Sequence, residues 1–158
     1  MQPLIHKWKR HRALSKYASC IPTGLHPLSR FKTAAVFLGF EERDSEDAKA
    51  LAEEFFNSHN IEVHFYYNDS SSANRYGKLK SSEQNPDGIC EEDLFISMLD
   101  STGFFIRFAA VSSRAITKIG RIQLPGDIFD IIVSGADNED SKQTDSLRTI
   151  FDILSKIK

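Results

Sequence analysis

The first 40 residues contain no Asp or Glu. Lys7, Lys9, Arg10, Arg12, Lys16, Arg30 and Lys32 give that stretch a formal charge of +7, against −9 for the remainder. An asymmetry of this kind marks a basic arm on an acidic body. Long apolar runs are also missing, and no window approaches the ~18 residues a spanning helix needs. The basic start has no apolar stretch of the secretory kind, because Lys16 interrupts the one candidate and Pro22 follows. A cytoplasmic location is therefore the expectation. Cysteine is scarce: Cys20 and Cys90 have no metal-ligand spacing and are expected as reduced thiols. With 8 Gly and 5 Pro in 158 residues, collagen and low-complexity chains are excluded. What remains is 41% hydrophobic and 27% charged, enough for one domain to bury its own core without metal or disulfide.

Several chemistries lack their signatures. There is no G-x-G-x-x-G or Walker sequence for a dinucleotide or P-loop site, and no G-x-S-x-G elbow. His6, His11, His26, His59 and His64 are scattered, with no H-x-x-x-H pair. Cys90 precedes Glu91 and Glu92, whose charges raise a thiol pKa rather than activate it. The acidic run Glu41, Glu42, Asp44, Glu46 and Asp47 has the ligand types for Mg²⁺, but it also suits a solvated helix N-terminus, which is the reading adopted. The sequence thus implies no catalytic constellation, no metal and no cofactor.

What is present is an alternation of strand and helix patterns. Residues 3–18 read as a helix, with Pro3 allowed in its first turn. Leu4, Ile5 and Trp8 share one side, Arg12 falls among them, and Leu14 and Tyr17 point elsewhere. A membrane-surface helix needs a continuous apolar face, so that role is disfavoured. Pro22, Gly24 and Pro27 then mark a linker. Thr33 to Gly39 is an apolar run of the buried-strand type. Asp44 and Ser45 offer caps for a helix over 45–58, where Ala48, Leu51, Ala52, Phe55 and Phe56 form an amphipathic stripe. His59-Asn60 ends it, and Ile61 to Tyr67 is the second strand. Residues 68–92, rich in Ser, Asn, Asp and Lys, read as a long exposed loop with a short turn around Tyr76-Gly77-Lys78. Leu94 to Leu99 is a third strand, and the segment from Phe104 to Val111 a helix apolar almost all round. Ala115 to Ile122 and Phe129 to Ser134 are the fourth and fifth strands. Only about six residues around Pro125-Gly126 separate them, too few for a helical crossover, which predicts antiparallel pairing. Leu147, Ile150, Phe151, Leu154 and Ile157 mark a last helix from about 143.

Residues 93–121 (DLFISMLDSTGFFIRFAAVSSRAITKIGR) with 129–135 (FDIIVSG) resemble a small family of uncharacterised proteins found widely in Bacteroidota. Its members share a basic N-terminal helix and an aromatic-x-Gly-Lys segment, partly matched by Tyr76-Gly77-Lys78. They also share a D-L-x-I strand, matched by Asp93 to Ile96. A small-residue stretch follows, matched by Ala109/Ala110, Ser112/Ser113, Ala115, Lys118 and Gly120. The same stretch is similar to the N-terminal half of heptosyltransferase-type glycosyltransferases. That similarity implies an open Rossmann-like sheet, and it implies no activity, because two such halves enclose a sugar nucleotide in that class and this chain has one.

The expectation is therefore a basic N-terminal helix and linker over 1–30, packing at the edge or hanging free, and a single three-layer α/β domain over 31–158. Its sheet order should be 2-1-3-4-5, mostly parallel with strand five antiparallel. Open α/β sheets bind ligands beyond the carboxyl ends of their strands. Gly39, Asp100, Ser101, Thr102 and Gly103 should lie there, where a helix N-terminus accepts an anion. The competing reading is that Ser101 or Thr102 serves only the following helix. The second candidate surface is the arm: Lys7, Lys9, Arg10, Arg12 and Lys16, interleaved with Trp8 and Tyr17, suit phosphates and bases. The leading expectation is a non-enzymatic interaction module contacting RNA or a ribonucleoprotein through that arm. The alternative is a small enzyme or sensor holding a phosphorylated ligand at the strand ends.

Overall fold

The strand–helix–strand unit forms where the apolar pattern places it. In the computed structural model, residues 4–74, 77–83, 85–134 and 141–158 are described, with residues 4–8 as backbone only. Strand β1 (Thr33–Leu38) is followed by helix α2 (Ser45–Ser58) and strand β2 (Glu62–Tyr67), α1 (Leu4–Tyr17) being the N-terminal helix. β1 and β2 pair in parallel from Thr33↔Glu62 to Leu38↔Tyr67. Helix α2 ends in a Schellman motif. Asn60 is left-handed (φ 57°), Ile61 N–H donates to Phe56 O (2.9 Å), and Asn60 N–H donates to Asn57 O (3.2 Å).

The rest of the chain adds β3 (Leu94–Ser97), α3 (Phe104–Ser112), β4 (Thr117–Gly120), β5 (Ile131–Ile132) and α4 (Lys142–Lys156). The sheet order is β2-β1-β3-β4-β5. Helices cover both faces. Ala34, Val36 and Leu38 of β1 face α2 and α4, packing with Ala48, Ala52, Phe56, Leu147, Ile150 and Leu154. Ala35 and Phe37 face the other way, towards Phe105, Ile106, Ala109 and Ala110 of α3. The period-2 alternation of a strand with both faces buried produces the apolar run at 34–38. No helix among the described residues is long and apolar enough to cross a membrane.

Four expectations need correction. β5 pairs with β4 in parallel, through Ile119↔Ile131 and Gly120↔Ile132, not antiparallel. The apolar runs overstate the strands: β4 and β5 span only 117–120 and 131–132, which leaves residues 121–130 to cross over without a helix. Gln123 takes the place of a neighbouring strand there. Its Oε1 accepts the N–H groups of Phe129 (3.0 Å) and Leu124 (3.1 Å), and its Nε2 donates to Phe129 O (3.2 Å). Phe129 then lies over Gly120, where a Cβ would stand 2.3 Å from the ring.

The N-terminal helix neither hangs free nor lies at the sheet edge. It packs on α3. Ala13 is buried, Tyr17 meets Phe108 edge to face at 5.9 Å, and the Arg10 guanidinium lies 4.9 Å from the Phe104 ring centroid. The linker is strapped to the body by Ser19 N–H to Val111 O (3.0 Å), Gly24 N–H to Ile116 O (2.9 Å) and Thr23 Oγ1 to Asp130 Oδ1 (2.9 Å). Nor is the 68–92 segment wholly exposed. Leu79, Ile89 and Cys90 are buried, and Leu79 and Cys90 join the core under α3. Of the turn expected at Tyr76-Gly77-Lys78, Tyr76 lies outside the described residues. Gly77 has φ +80°, and a Cβ on it would meet Phe104 at 3.3 Å.

Candidate functional site

At the carboxyl ends of β1 and β3 the loops diverge to opposite faces of the sheet, and between them lies a cleft of about 370 Å³. This is the topological switch point of the 2-1-3-4-5 sheet. Met98 and Leu99 are the buried part of its lining, and Gly39, Asp100 and Ser101 belong to it with Glu41, Glu42 and Asp69. Thr102 and Gly103 are exposed and outside the lining. Three of the five predicted site residues are thus brought together.

Their hydrogen bonds show what each does. Gly39 N–H donates to Oε1 of the fully buried Gln143 (2.7 Å), which fixes the β1 loop to the first turn of α4. Asp44, expected to cap α2, makes no side-chain cap bond there. Its buried carboxylate instead accepts from Thr144 N–H (2.8 Å), Thr144 Oγ1 (2.9 Å) and Gln143 Nε2 (3.2 Å), so it satisfies the N-terminus of α4 from a hundred residues away. Asp100 is held on both oxygens, by Arg121 Nη1 (2.9 Å) and by Lys142 Nζ. Arg121 is itself buried and also donates to Ser146 Oγ (3.2 Å) and Ser134 O (2.9 Å). Ser101 Oγ accepts Gly103 N–H (2.9 Å), leading the chain into α3. Arg121 and Lys142 are therefore both paired with Asp100.

Sequence reading missed a polar cluster on the α3 side. Glu92 is buried, and its Oε1 accepts from Tyr66 OH (2.5 Å) and pairs with His64 Nδ1 (3.0 Å), while Oε2 has no partner. His64 Nε2 meets Glu62 (3.2 Å). Burial opposes the charged imidazole, but the two carboxylates outweigh it and hold the His64 pKa above its usual value. Burial, with Glu92 beside it, pushes the Cys90 thiol well up, which makes it inert rather than nucleophilic. Burial lowers Lys118 to about 8 against the pull of Asp130; its Nζ donates to Ala110 O (2.6 Å) near the carboxyl end of α3. The cluster ties edge strand β2 to the segment before β3. Glu92 had no periodic signal to reveal it. Among the described residues, no group of three or more His, Cys, Asp or Glu converges as metal ligands do.

The arm divides into two faces. Arg10, Ala13, Leu14 and Tyr17, at i, i+3, i+4 and i+7, turn towards the body and are buried or half-buried. Lys9, Arg12 and Lys16, at i, i+3 and i+7, are exposed on another face. The side chains of Lys7 and Trp8 lie outside the described residues. Beside the carboxyl end of α1 is a groove of about 220 Å³, lined on one side by Tyr17 and on the other by residues of the 74–87 loop. No protein-family model matches the chain, and no curated protein matches its sequence.

Proposed function

We propose that the protein is a non-enzymatic binding module that contacts RNA, free or within a ribonucleoprotein, through the exposed basic face of α1. The observation that carries this reading is the division of α1. One stripe locks the helix to α3, and Lys9, Arg12 and Lys16 share the outward stripe over about 10 Å of helix. Cations held on an anchored helix lose less freedom on meeting phosphates than cations on a free arm. The acidic body steers a polyanion towards that one face. Changing Lys9, Arg12 and Lys16 together to Gln in the full chain should weaken association with a single-stranded RNA. It should also make the slope of log K against log salt shallower by about 2, as the loss of three phosphate contacts requires. Unchanged affinity and slope would overturn the reading. Point changes are the proper test, because removing the helix would uncover the α3 face that Ala13 and Tyr17 cover.

A second reading is favoured by the position of the strand-end cleft: a small ligand bound at the switch point. The carboxylates of Glu41, Glu42 and Asp69 oppose a phosphate there, so an uncharged or cationic ligand suits the lining better than a phosphorylated one. Such a ligand at 100 times its Kd should add about 2.7 kcal/mol to stability, with the gain lost on Glu42→Gln. A melting temperature indifferent to amines and to sugar phosphates alike would remove this reading.

A further inference from the structure

We propose that the groove between Tyr17 and the 74–87 loop seats one unstacked base, best a guanine, of a single-stranded RNA whose phosphates lie along the Lys9–Arg12–Lys16 stripe. The inference rests on the RNA reading above and adds to it a strand state and a base preference.

Tyr17 joins the two features. Its ring is half-buried and held edge-on by Phe108, so it is oriented before any ligand arrives. Lys16, the last cation of the stripe, lies 5.3 Å from its centroid, and Lys78, from the facing loop, lies 5.1 Å from it. An aromatic ring at a groove wall between two ammonium groups meets both needs of a nucleotide: a surface for the base and a charge for its phosphate. Lys16 is exposed beside the ring and outside the groove lining, where its ammonium can meet the phosphate of a base seated in the groove.

The described residues of the far wall are hydrogen-bonded to one another. Ala73 and Leu79 form an antiparallel bridge, Asn74 N–H donates to Lys78 O (2.7 Å), and Asn74 Oδ1 accepts Lys78 N–H (3.1 Å). Leu79 is buried beneath this turn, and Ile89 N–H is held by Asn85 Oδ1 (3.0 Å). The Lys78 ammonium is also fixed 5.0 Å from the Phe108 centroid. The wall presents an ammonium at Lys78, a hydroxyl at Ser81 and a carboxylate at Asp87. Guanine complements that set, offering N1–H and N2–H₂ to a carboxylate and O6 to an ammonium. Uracil and cytosine lack the adjacent donor pair. A duplex hides these edges and cannot splay a base into a groove of this size, so single strands are selected.

The test uses the full chain and fluorescence anisotropy with three probes at 50 mM and 200 mM salt: hexauridylate, the same hexamer with one central guanosine, and a 12-base-pair RNA duplex. The guanosine hexamer should bind roughly tenfold more tightly than hexauridylate. Asp87→Asn, at an exposed position, should erase that difference between the two hexamers. Tyr17→Leu keeps an apolar body against Phe108 and should weaken both single strands. Equal binding of all three probes, unmoved by Asp87→Asn but lost with the Lys9, Arg12 and Lys16 changes, would overturn the groove and leave the stripe reading standing. No binding of any probe at 50 mM salt would overturn both.

Discussion

On the α2/α4 side of the sheet, Val36, Leu38, Leu94 and Ile96 meet Ala52, Phe56, Leu147 and Leu154, and every helix residue in that contact falls on a three- or four-residue step. On the α1/α3 side, Phe37, Phe95 and Phe129 share the space with Lys118, Cys90 and Glu92, and Arg10 and Lys78 pack over aromatic rings. The first face is made by helices whose apolar stripes need only one another. The second is covered by α3 and completed by non-helical residues such as Leu79, Cys90, Leu124 and Phe129, so its backbone groups and buried charges need partners drawn from distant parts of the chain. A face of the first kind tolerates repacking if volume is kept. A face of the second kind depends on individual polar contacts, and all the groups of the RNA reading are anchored to it.

Asp44 tests whether the regular face is as self-sufficient as its periodicity suggests. Asp44→Ala should cost about 2–3 kcal/mol, because it leaves Thr144 N–H without an acceptor in a buried place and removes the acceptor of Thr144 Oγ1 and the shorter of two bonds from Gln143 Nε2. Urea unfolding measures the loss. Amide exchange should show the first turn of α4, not that of α2, losing protection. Equal loss in both helices would mean the carboxylate serves α2 after all.

The same contrast explains what the sequence made legible. The strand–helix–strand unit, the strand order and the C-terminal helix follow from apolar spacing, because tertiary packing there uses the faces that spacing reports. The direction of β5 did not, because Gln123 replaces a strand's hydrogen bonds and Phe129 belongs to a crossover, not a strand. Pattern reading groups Leu4, Ile5 and Trp8 with Arg12 among them and leaves Leu14 and Tyr17 pointing elsewhere, because it counts Arg10 as a surface charge and not as part of a stripe with Ala13, Leu14 and Tyr17. With its guanidinium on Phe104 the stripe is complete. At the strand ends, Gly39, Asp100 and Ser101 were legible from topology alone. The partners that fix them, Gln143, Arg121 and Lys142, were not, since no local pattern reports contacts between residues 21 to 104 positions apart.

Gly120 probes the irregular face with a single carbon. Gly120→Ala would drive a methyl into Phe129 and should cost about 2 kcal/mol through overpacking. Combining it with Phe129→Leu should recover part of that loss, so the double variant should be more stable than the sum of the single effects allows. Strict additivity in urea unfolding would mean that the ring moves aside freely and that the crossover is not packed on the strand.

The smallest effect expected is also the one that distinguishes the two faces by chemistry rather than by size. His64 links Glu62 on its own strand to Glu92, which Tyr66 shares and Cys90 neighbours, whereas on the opposite face β2 meets α2 through the Lys49 ammonium over the Phe65 ring. Because the folded pKa lies above the ordinary value near 6.5, folding takes up a proton between the two. The imidazolium's contribution is therefore complete below about pH 6.5 and fades as pH rises through the folded value. The side chain is 42% exposed, so solvent screening keeps the contribution modest. His64→Asn should flatten stability against pH over that window, as pH-dependent urea unfolding would show. An undiminished slope in the variant would place the pH dependence elsewhere, and His64 would then not be a titrating link between the α3 face and the sheet edge.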